Sequence, residues 1–186
     1  MRRPDLVPDC ASCAALCCVA TSFERSEDFA FDKPAGVPCR YLTRGNRCAI
    51  HADLIGRGCR GCAVYDCYGA GQRATRAFAT APARLRNQAF LVLRGLHEQL
   101  WLLTEAAKLC PPSCGELRAE LAAQVEVLDT LARGDVASLL EIDPSHYDQR
   151  TRALLCRVGE ALGGRARWVR SSPEWERESP ANDEMK

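Results

Sequence analysis

The chain is short of several features that would place it at once. Of its 186 residues only three are lysine and three are histidine, and aromatic residues make up 6%. No stretch approaches the roughly 18 consecutive apolar residues of a membrane span, so no membrane is expected among its partners. The first ten residues carry positive charge but no apolar run. A secretory signal is therefore not expected, and a cytoplasmic location is. Charge of one sign is also missing: the net charge is +1, with nine basic and eight acidic residues up to Gln72 and sixteen of each after it. A nucleic-acid binder concentrates basic residues on one surface, so no nucleic-acid partner is expected. No catalytic triad, carboxylate pair or phosphate loop can be read from the sequence. Basic residues are overwhelmingly arginine, 22 against three lysines, and alanine is abundant, which fits a GC-rich genome.

What the chain has in excess is cysteine. Nine of its twelve cysteines lie between Cys10 and Cys67. They run Cys10-x2-Cys13-x3-Cys17-Cys18, then Cys39, then Cys48-x2-His51, then Cys59-x2-Cys62-x4-Cys67. A gap of two or three residues lets a tight loop aim two sulfurs at one ion, as in structural zinc sites and iron–sulfur proteins. In a reducing compartment these residues are expected as thiols or metal thiolates, although an even number of cysteines also suits a disulfide scaffold. Eight or nine thiols can fill two four-cysteine zinc sites. They can equally ligate one iron–sulfur cluster and leave a second ion or free thiols. Cys10, Cys13 and Cys17 crowd three thiolates into eight residues, which favours an iron–sulfur cluster with a distant fourth ligand; zinc stays open. His51 stands as a further candidate ligand through Cys48-x2-His51. Four thiolates on a zinc dication leave a doubly negative site by formal count. Arg40, Arg44, Arg47, Arg57 and Arg60 alternate with the ligands and either offset that charge or solvate the surface.

Hydrophobic periodicity organises the rest. A short helix is expected around Ala14 to Val19, and alternation at Phe29 and Phe31 reads as a short half-buried strand. Residues 39–43 and 47–51 flank Arg44-Gly45-Asn46 and read as a β-hairpin, with Thr43 facing Arg47, Leu42 facing Cys48 and Cys39 facing His51. Residues 52–72 hold five glycines and fold around something rather than forming a core. Gly69-Ala70-Gly71-Gln72-Arg73-Ala74 superficially matches a dinucleotide fingerprint but follows no apolar strand, so it is read as a turn into a helix. From Arg73 the pattern is helical. One stripe runs through Leu85, Ala89, Val92, Leu96, Leu100, Leu103 and Ala107 and stops at Pro111-Pro112. Ser113 and Glu116 match a capping box ahead of Leu117, Leu121, Val125, Leu128 and Leu131. Asp143-Pro144 opens a last helix through Tyr147, Thr151, Leu154, Leu155, Val158 and Leu162. Cys156 reads as a small core residue, Cys110 and Cys114 as incidental thiols, and His97 and His146 as surface or capping residues. Glu98, Glu105, Glu116, Glu120 and Glu126 read as solvated helix faces.

The fold class expected is mainly α. A loop-rich cysteine-cluster metal module with a small β-hairpin (1–72) packs on an antiparallel helical hairpin or small bundle (73–165). A polar, flexible tail (166–186) follows, with Trp168 or Trp175 as candidates for docking.

The run Cys10-x2-Cys13-x3-Cys17-Cys18, with Gly36-Val37-Pro38-Cys39-Arg40-Tyr41-Leu42 and Arg47-Cys48-Ala49-Ile50-His51, resembles a bacterial family described as zinc- or iron-chelating proteins with a CxxCxxCC-type cluster. Residues 28–36 and 61–72 look like an actinobacterial group usually labelled pentapeptide-repeat proteins. The resemblance covers residues 9–72 closely and 73–165 loosely. It implies Cys10, Cys13, Cys17, Cys18, Cys39, Cys48, Cys62 and Cys67 as the metal ligands. In that group an aromatic residue usually stands at the position of Cys59, which makes Cys59 an extra thiol. A pentapeptide solenoid needs tandem repeats, and Ala52-Asp53-Leu54 is a single match, so a right-handed β-helix is not expected. The reading that follows is a metal-binding protein with a structural or redox-sensing iron–sulfur or zinc centre. Its helical surface would meet another protein or a second copy of the chain. The alternatives are a cluster-dependent enzyme or maturation factor acting on a protein or peptide, and a metal-handling or storage protein.

Overall fold

A computed structural model describes residues 4–163. The tail expected over 166–186, with Trp168 and Trp175, lies outside the described residues. The elements are α1 (Leu16–Ala20), α2 (Arg60–Val64), α3 (Ala70–Ala77), α4 (Ala83–Leu109), α5 (Gly115–Ala132), α6 (Val136–Leu140) and α7 (Pro144–Ala161), with single turns of 3-10 helix at Pro4–Leu6, Cys10–Ser12 and His51–Asp53.

The 27-residue α4 is the axis of the fold. Helices α1, α3, α5, α6 and α7 all pack against it. A helix surrounded in this way needs a wider apolar face than one stripe. Phe90, Leu93 and Ala106 are accordingly buried beside Ala89, Leu96, Leu100 and Leu103, while Leu85, Val92 and Ala107 of the expected stripe are only half-buried. The five-residue link 110–114 turns α5 back along α4, and α7 packs on both. Leu117, Leu121 and Leu128 of α5 meet Leu154 and Val158 of α7 in the same apolar core as the α4 residues. Glu120 bridges α5 to α7 from outside, accepting from Arg157 at 2.7 Å and Arg150 at 3.1 Å. That core also takes in Leu6, Leu16, Ala20, Ala70 and Ala74, so the cysteine-rich segment shares its interior with the helices. The boundary expected after residue 72 falls within α3.

Several local expectations change. The helical segment does not begin at Arg73: α3 starts at Ala70, and a break over 78–82 closed by Pro82 separates it from α4. Among the described residues there is no strand, and the β-hairpin is not formed. The expected register survives only as an isolated bridge between Leu42 and Cys48, with the Thr43 amide donating to the Arg47 carbonyl. The ladder stops there because the Cys39 amide is taken by the Cys18 carbonyl at 2.9 Å instead of pairing toward His51. The strand expected at Phe29 and Phe31 is likewise a single bridge, Phe23 to Lys33. Ser113 does not cap α5: Cys114 is the N-cap residue and no side chain caps it. Asp143 does cap α7, accepting from the Ser145 amide with Pro144 in the first turn. Cys156 is exposed rather than in the core, and His97 is buried rather than at the surface. No helix among the described residues is long and apolar enough to cross a membrane.

Leu96 is fully buried at the centre of this arrangement. Leu96→Ala is expected to lower stability by about 2–5 kcal/mol in chemical denaturation, whereas an exposed position such as Leu109 should change it by less than about 0.5 kcal/mol. Glu120 gives a pH signature. The Arg157 hydrogen bond holds its carboxyl below the usual glutamate range. Its contribution to stability is thus present above the ordinary carboxylate pKa and lost as pH falls through the lower folded value. Glu120→Gln should lower the melting temperature near neutral pH and converge with wild type under acid.

Candidate metal centre

The cysteine-rich segment is seated on α3, and the glycines there show how. Gly69 adopts φ +80°, and a Cβ at this position would stand 2.1 Å from the Asp5 carbonyl oxygen. A Cβ on Gly71 would stand 2.7 Å from Cys13 Sγ and 3.7 Å from Cys67 Sγ. These glycines therefore let a thiol loop lie against the helix backbone, the role that fingerprint glycines perform for a phosphate. Gln72 and Thr75 hold the loop in place. The Gln72 amide donates to the Val7 carbonyl at 2.8 Å and accepts from the Asp9 amide at 3.1 Å. The Thr75 hydroxyl accepts from the Ala14 amide at 2.9 Å and lies 3.9 Å from Cys13 Sγ.

Helix α4 holds the other side. His97, 2% exposed, donates from Nδ1 to the Tyr68 carbonyl at 2.7 Å. Arg94 lies over the rings of Tyr65 and Tyr68, which flank Cys67. Two non-glycine residues of this region have positive φ, Ala15 at 54° midway between Cys13 and Cys17, and Tyr68 at 48° directly after Cys67. Such backbone costs about 1–2 kcal/mol per residue and persists only where its surroundings enforce it.

All twelve cysteines are free thiols. Nine of them lie in two neighbourhoods, seen in how their charges act on one another. In the first, burial and then Cys17 and Cys13 raise the Cys10 thiol. Burial, and beyond it the charges of Cys17 and Cys13, also raise Cys67, against amides of Gly71 and Gly69 that favour its thiolate. In the second, Cys18 feels Cys48 and Cys39, and Cys59 is raised by burial and then by Cys39 and Cys48. Cys62 is pushed up to about 11 by the protein around its sulfur, with Cys59, Cys39, Cys17 and Cys48 adding to it. Cys17 and Cys18 form the seam. The Cys18 S–H donates to Cys17, which lowers Cys17 to about 7 and raises Cys18. Among the described residues no three His, Cys, Asp or Glu side chains stand together at metal-ligand distance. His51 is exposed on its 3-10 turn, and its amide donates to the Cys48 carbonyl.

Two features of this surrounding bear on whether a metal fits. The Tyr65 hydroxyl is buried and has no hydrogen-bond partner among the described residues; burial raises its pKa, Arg94 opposes this, and Cys17 and Cys67 add to it. Lys33 is only 4% exposed, and its ammonium is held by three carbonyls, of Val19, Thr21 and Pro34. Burial lowers its pKa, and Cys39, Cys18, Cys17 and Cys62, where ionised, act in the opposite direction. Sequence reasoning missed Lys33, although it continues the Phe29, Phe31 alternation that pointed inward. It also missed Arg94, Gln72 and Thr75, whose partners are distant in sequence. Of the five arginines expected near the ligands, Arg40 lies 4.0 Å over the Phe31 ring and Arg57 pairs with Asp53 on the surface.

A polar cleft of about 350 Å³ borders the same contact, lined by Gly69, Gln72, Asp5 and His97 together with Arg73, Arg76, Arg133 and Asp129. A shallower groove between α4 and α5 is walled by Ala107, Ala119, Ala122 and Val125. No cysteine lines either one.

The chain is 34% identical over 171 residues to an uncharacterised protein of Bacillus subtilis (strain 168), YybG. The match takes in 88% of this chain and spans 61% of the length of that relative. No family model matches the chain, and no solved structure matches it.

The close approach at Gly71 is directly testable. Gly71→Ala should destabilise the protein by about 1–3 kcal/mol, because Cys13 and the loop behind it must move. Gly115 opens α5 with nothing within 4 Å of its would-be Cβ. Gly115→Ala should be neutral or stabilising by up to about 1 kcal/mol, and equal effects at both sites would refute the cradle.

Proposed function

We propose that this protein binds metal through Cys10, Cys13, Cys17, Cys18, Cys39, Cys48, Cys62 and Cys67, as an iron–sulfur cluster or zinc, in a structural or redox-sensing centre. The reading is supported chiefly by the gathering of these thiols into two neighbourhoods by the backbone of a segment poor in apolar residues. Their mutual charge opposes ionisation of more than a few at once, and a cation removes that penalty by taking thiolates as ligands. The glycine cradle at Gly71, the unpartnered Tyr65 hydroxyl and the buried Lys33 ammonium all suit sulfur ligands carrying negative charge. When bound, such a centre supplies cross-linking of the segment and, for an iron–sulfur cluster, one-electron chemistry. The protein's own residues orient the sulfurs, bury the Cys17 side of the cluster and hold the adjoining turn through His97 and Arg94. Cys59 is buried against the Arg57 carbonyl and is a spare thiol in this reading; His51 is not needed as a ligand.

The non-enzymatic reading is preferred over an enzyme or maturation factor because eight thiols are enough to close their own sites without a substrate. A catalytic ion needs a vacant coordination position facing a substrate pocket. The helical surface, with its alanine-walled groove between α4 and α5, is the part suited to a protein partner or a second copy.

The deciding experiment is elemental analysis with a visible spectrum on untagged protein purified without oxygen. A brown protein with iron and acid-labile sulfide is the expected result for a cluster, and a colourless one with zinc for a structural site. Protein without metal, or without titratable thiols, would overturn the proposal.

A further inference from the structure

We propose that the polar cleft between α3 and the C-terminal end of α5 binds a small molecule that carries a single carboxylate on an uncharged, polar body. Among the described residues no cysteine lines this cleft, so the inference stands apart from the metal-binding reading.

The cleft has a fixed floor and a cationic mouth. Its volume of about 350 Å³ falls within the range of small-molecule sites, roughly 300–1,000 Å³. On the deep side, Gln72 is 6% exposed and is held by the Val7 carbonyl and the Asp9 amide. His97 beside it is buried and is held by the Tyr68 carbonyl. At the mouth, Arg73 and Arg76 stand one turn apart on α3, and Arg133 joins them from the C-cap of α5. Two of these arginines are positioned by the protein itself. Arg73 Nε donates to the Ala132 carbonyl at 2.9 Å, and Arg133 donates from Nε and Nη2 to one carboxylate oxygen of Asp129. A guanidinium has five N–H donors, so both keep donors for a ligand. Arg76 is exposed, and its side chain makes no hydrogen bond or ion pair with the described residues.

Charge selects the ligand. The lining sets the guanidinium groups of Arg73, Arg76 and Arg133 against the carboxylates of Asp5 and Asp129, which leaves one positive charge in excess. One carboxylate balances it, whereas a second anionic group would be repelled by the two aspartates. The fork of an arginine holds a carboxylate through two parallel bonds, a match that a lysine does not offer. The rest of the ligand is polar, because Gly69 and Ala132 are the only apolar residues of the lining among those described. Arg76 is the binding residue singled out, because no other partner engages its side chain.

The test is calorimetric titration of the full-length protein with a matched four-carbon series: hydroxybutyrate with its hydroxyl at the far end of the chain, the corresponding diol, and succinate. Hydroxybutyrate should bind saturably at one site per chain, the diol should not bind, and succinate should bind more weakly than hydroxybutyrate. Arg76→Gln should weaken hydroxybutyrate binding at least about tenfold, the loss expected for one charged hydrogen-bonding partner, with unchanged far-ultraviolet circular dichroism. Arg84→Gln is the control. Arg84 is exposed at the start of α4, donates to Gln88 and lies outside the cleft, so its loss should leave binding unchanged. Absence of saturable hydroxybutyrate binding would overturn the site. An equal loss in Arg76→Gln and Arg84→Gln would overturn it as well, because the attraction would then belong to surface charge at large. Equal binding of the diol would overturn the role of the carboxylate. Tighter binding of succinate, or of inorganic phosphate, would overturn the single-charge assignment.

Discussion

A loop that carries cysteines instead of leucines has little apolar area with which to hold itself down, so its backbone must be held by hydrogen bonds. Helix α3 provides them. Gln72 satisfies both the Val7 carbonyl and the Asp9 amide, and Thr75 takes the Ala14 amide. These bonds operate at short range only because Gly69 and Gly71 remove the side chains that would stand between helix and loop. The positions of Cys10, Cys13 and Cys67 follow from that contact, and through Leu6, Leu16 and Ala20 the loop reaches the apolar core around α4. The strained backbone at Ala15 and Tyr68 is maintained by the same contacts, including the His97 bond to the Tyr68 carbonyl.

Charge is the second constraint. Thiols gathered this closely raise one another's cost of ionisation, and the hydrogen bond between Cys18 and Cys17 lets one of the pair ionise while the other keeps its proton. Lys33 is the buried cation of this segment, and Arg40 is an exposed one. Lys33 is set among carbonyls, and Arg40 lies over the ring of Phe31, which itself meets Phe23 and Tyr41 edge to face. A small aromatic cluster thus replaces the aliphatic core that the segment lacks. The arginines of the polar cleft, by contrast, come from α3 and from the C-cap of α5. Arg73 donates to the Ala132 carbonyl and Arg133 pairs with Asp129, so they fasten helices and serve no thiol.

The helices could be read from the sequence because their apolar spacing, the Asp143 cap and the Pro111-Pro112 stop are local signals. The width of the α4 face could not. Burial of Phe90, Leu93 and His97 depends on five other helices closing round α4, and no local pattern states which helix will be central. The capping box at Ser113 failed for a related reason. The chain turns through Cys114, whose amide bonds to the Pro111 carbonyl, and the motif falls one residue ahead of the true N-cap. The hairpin is not formed because the Cys39 amide is bonded to the Cys18 carbonyl instead of pairing across the turn. Cys156 sits among leucines in sequence yet on the outward side of α7, since a helix buries only the positions that face α4 and α5.

The spacing of the nine cysteines, the absence of a basic excess and the period of the helical stripes were settled by the sequence alone, because each is a property of neighbours along the chain. The tertiary structure alone decided which cysteines lie together, with Cys13 meeting Cys67 and Cys18 meeting Cys39. It also decided that Lys33 is buried and that His97 and Arg94 of α4 hold the turn after Cys67. Those outcomes depend on segments distant along the chain competing for the same hydrogen-bond donors, acceptors and space. Such competition is resolved only when the whole chain has packed.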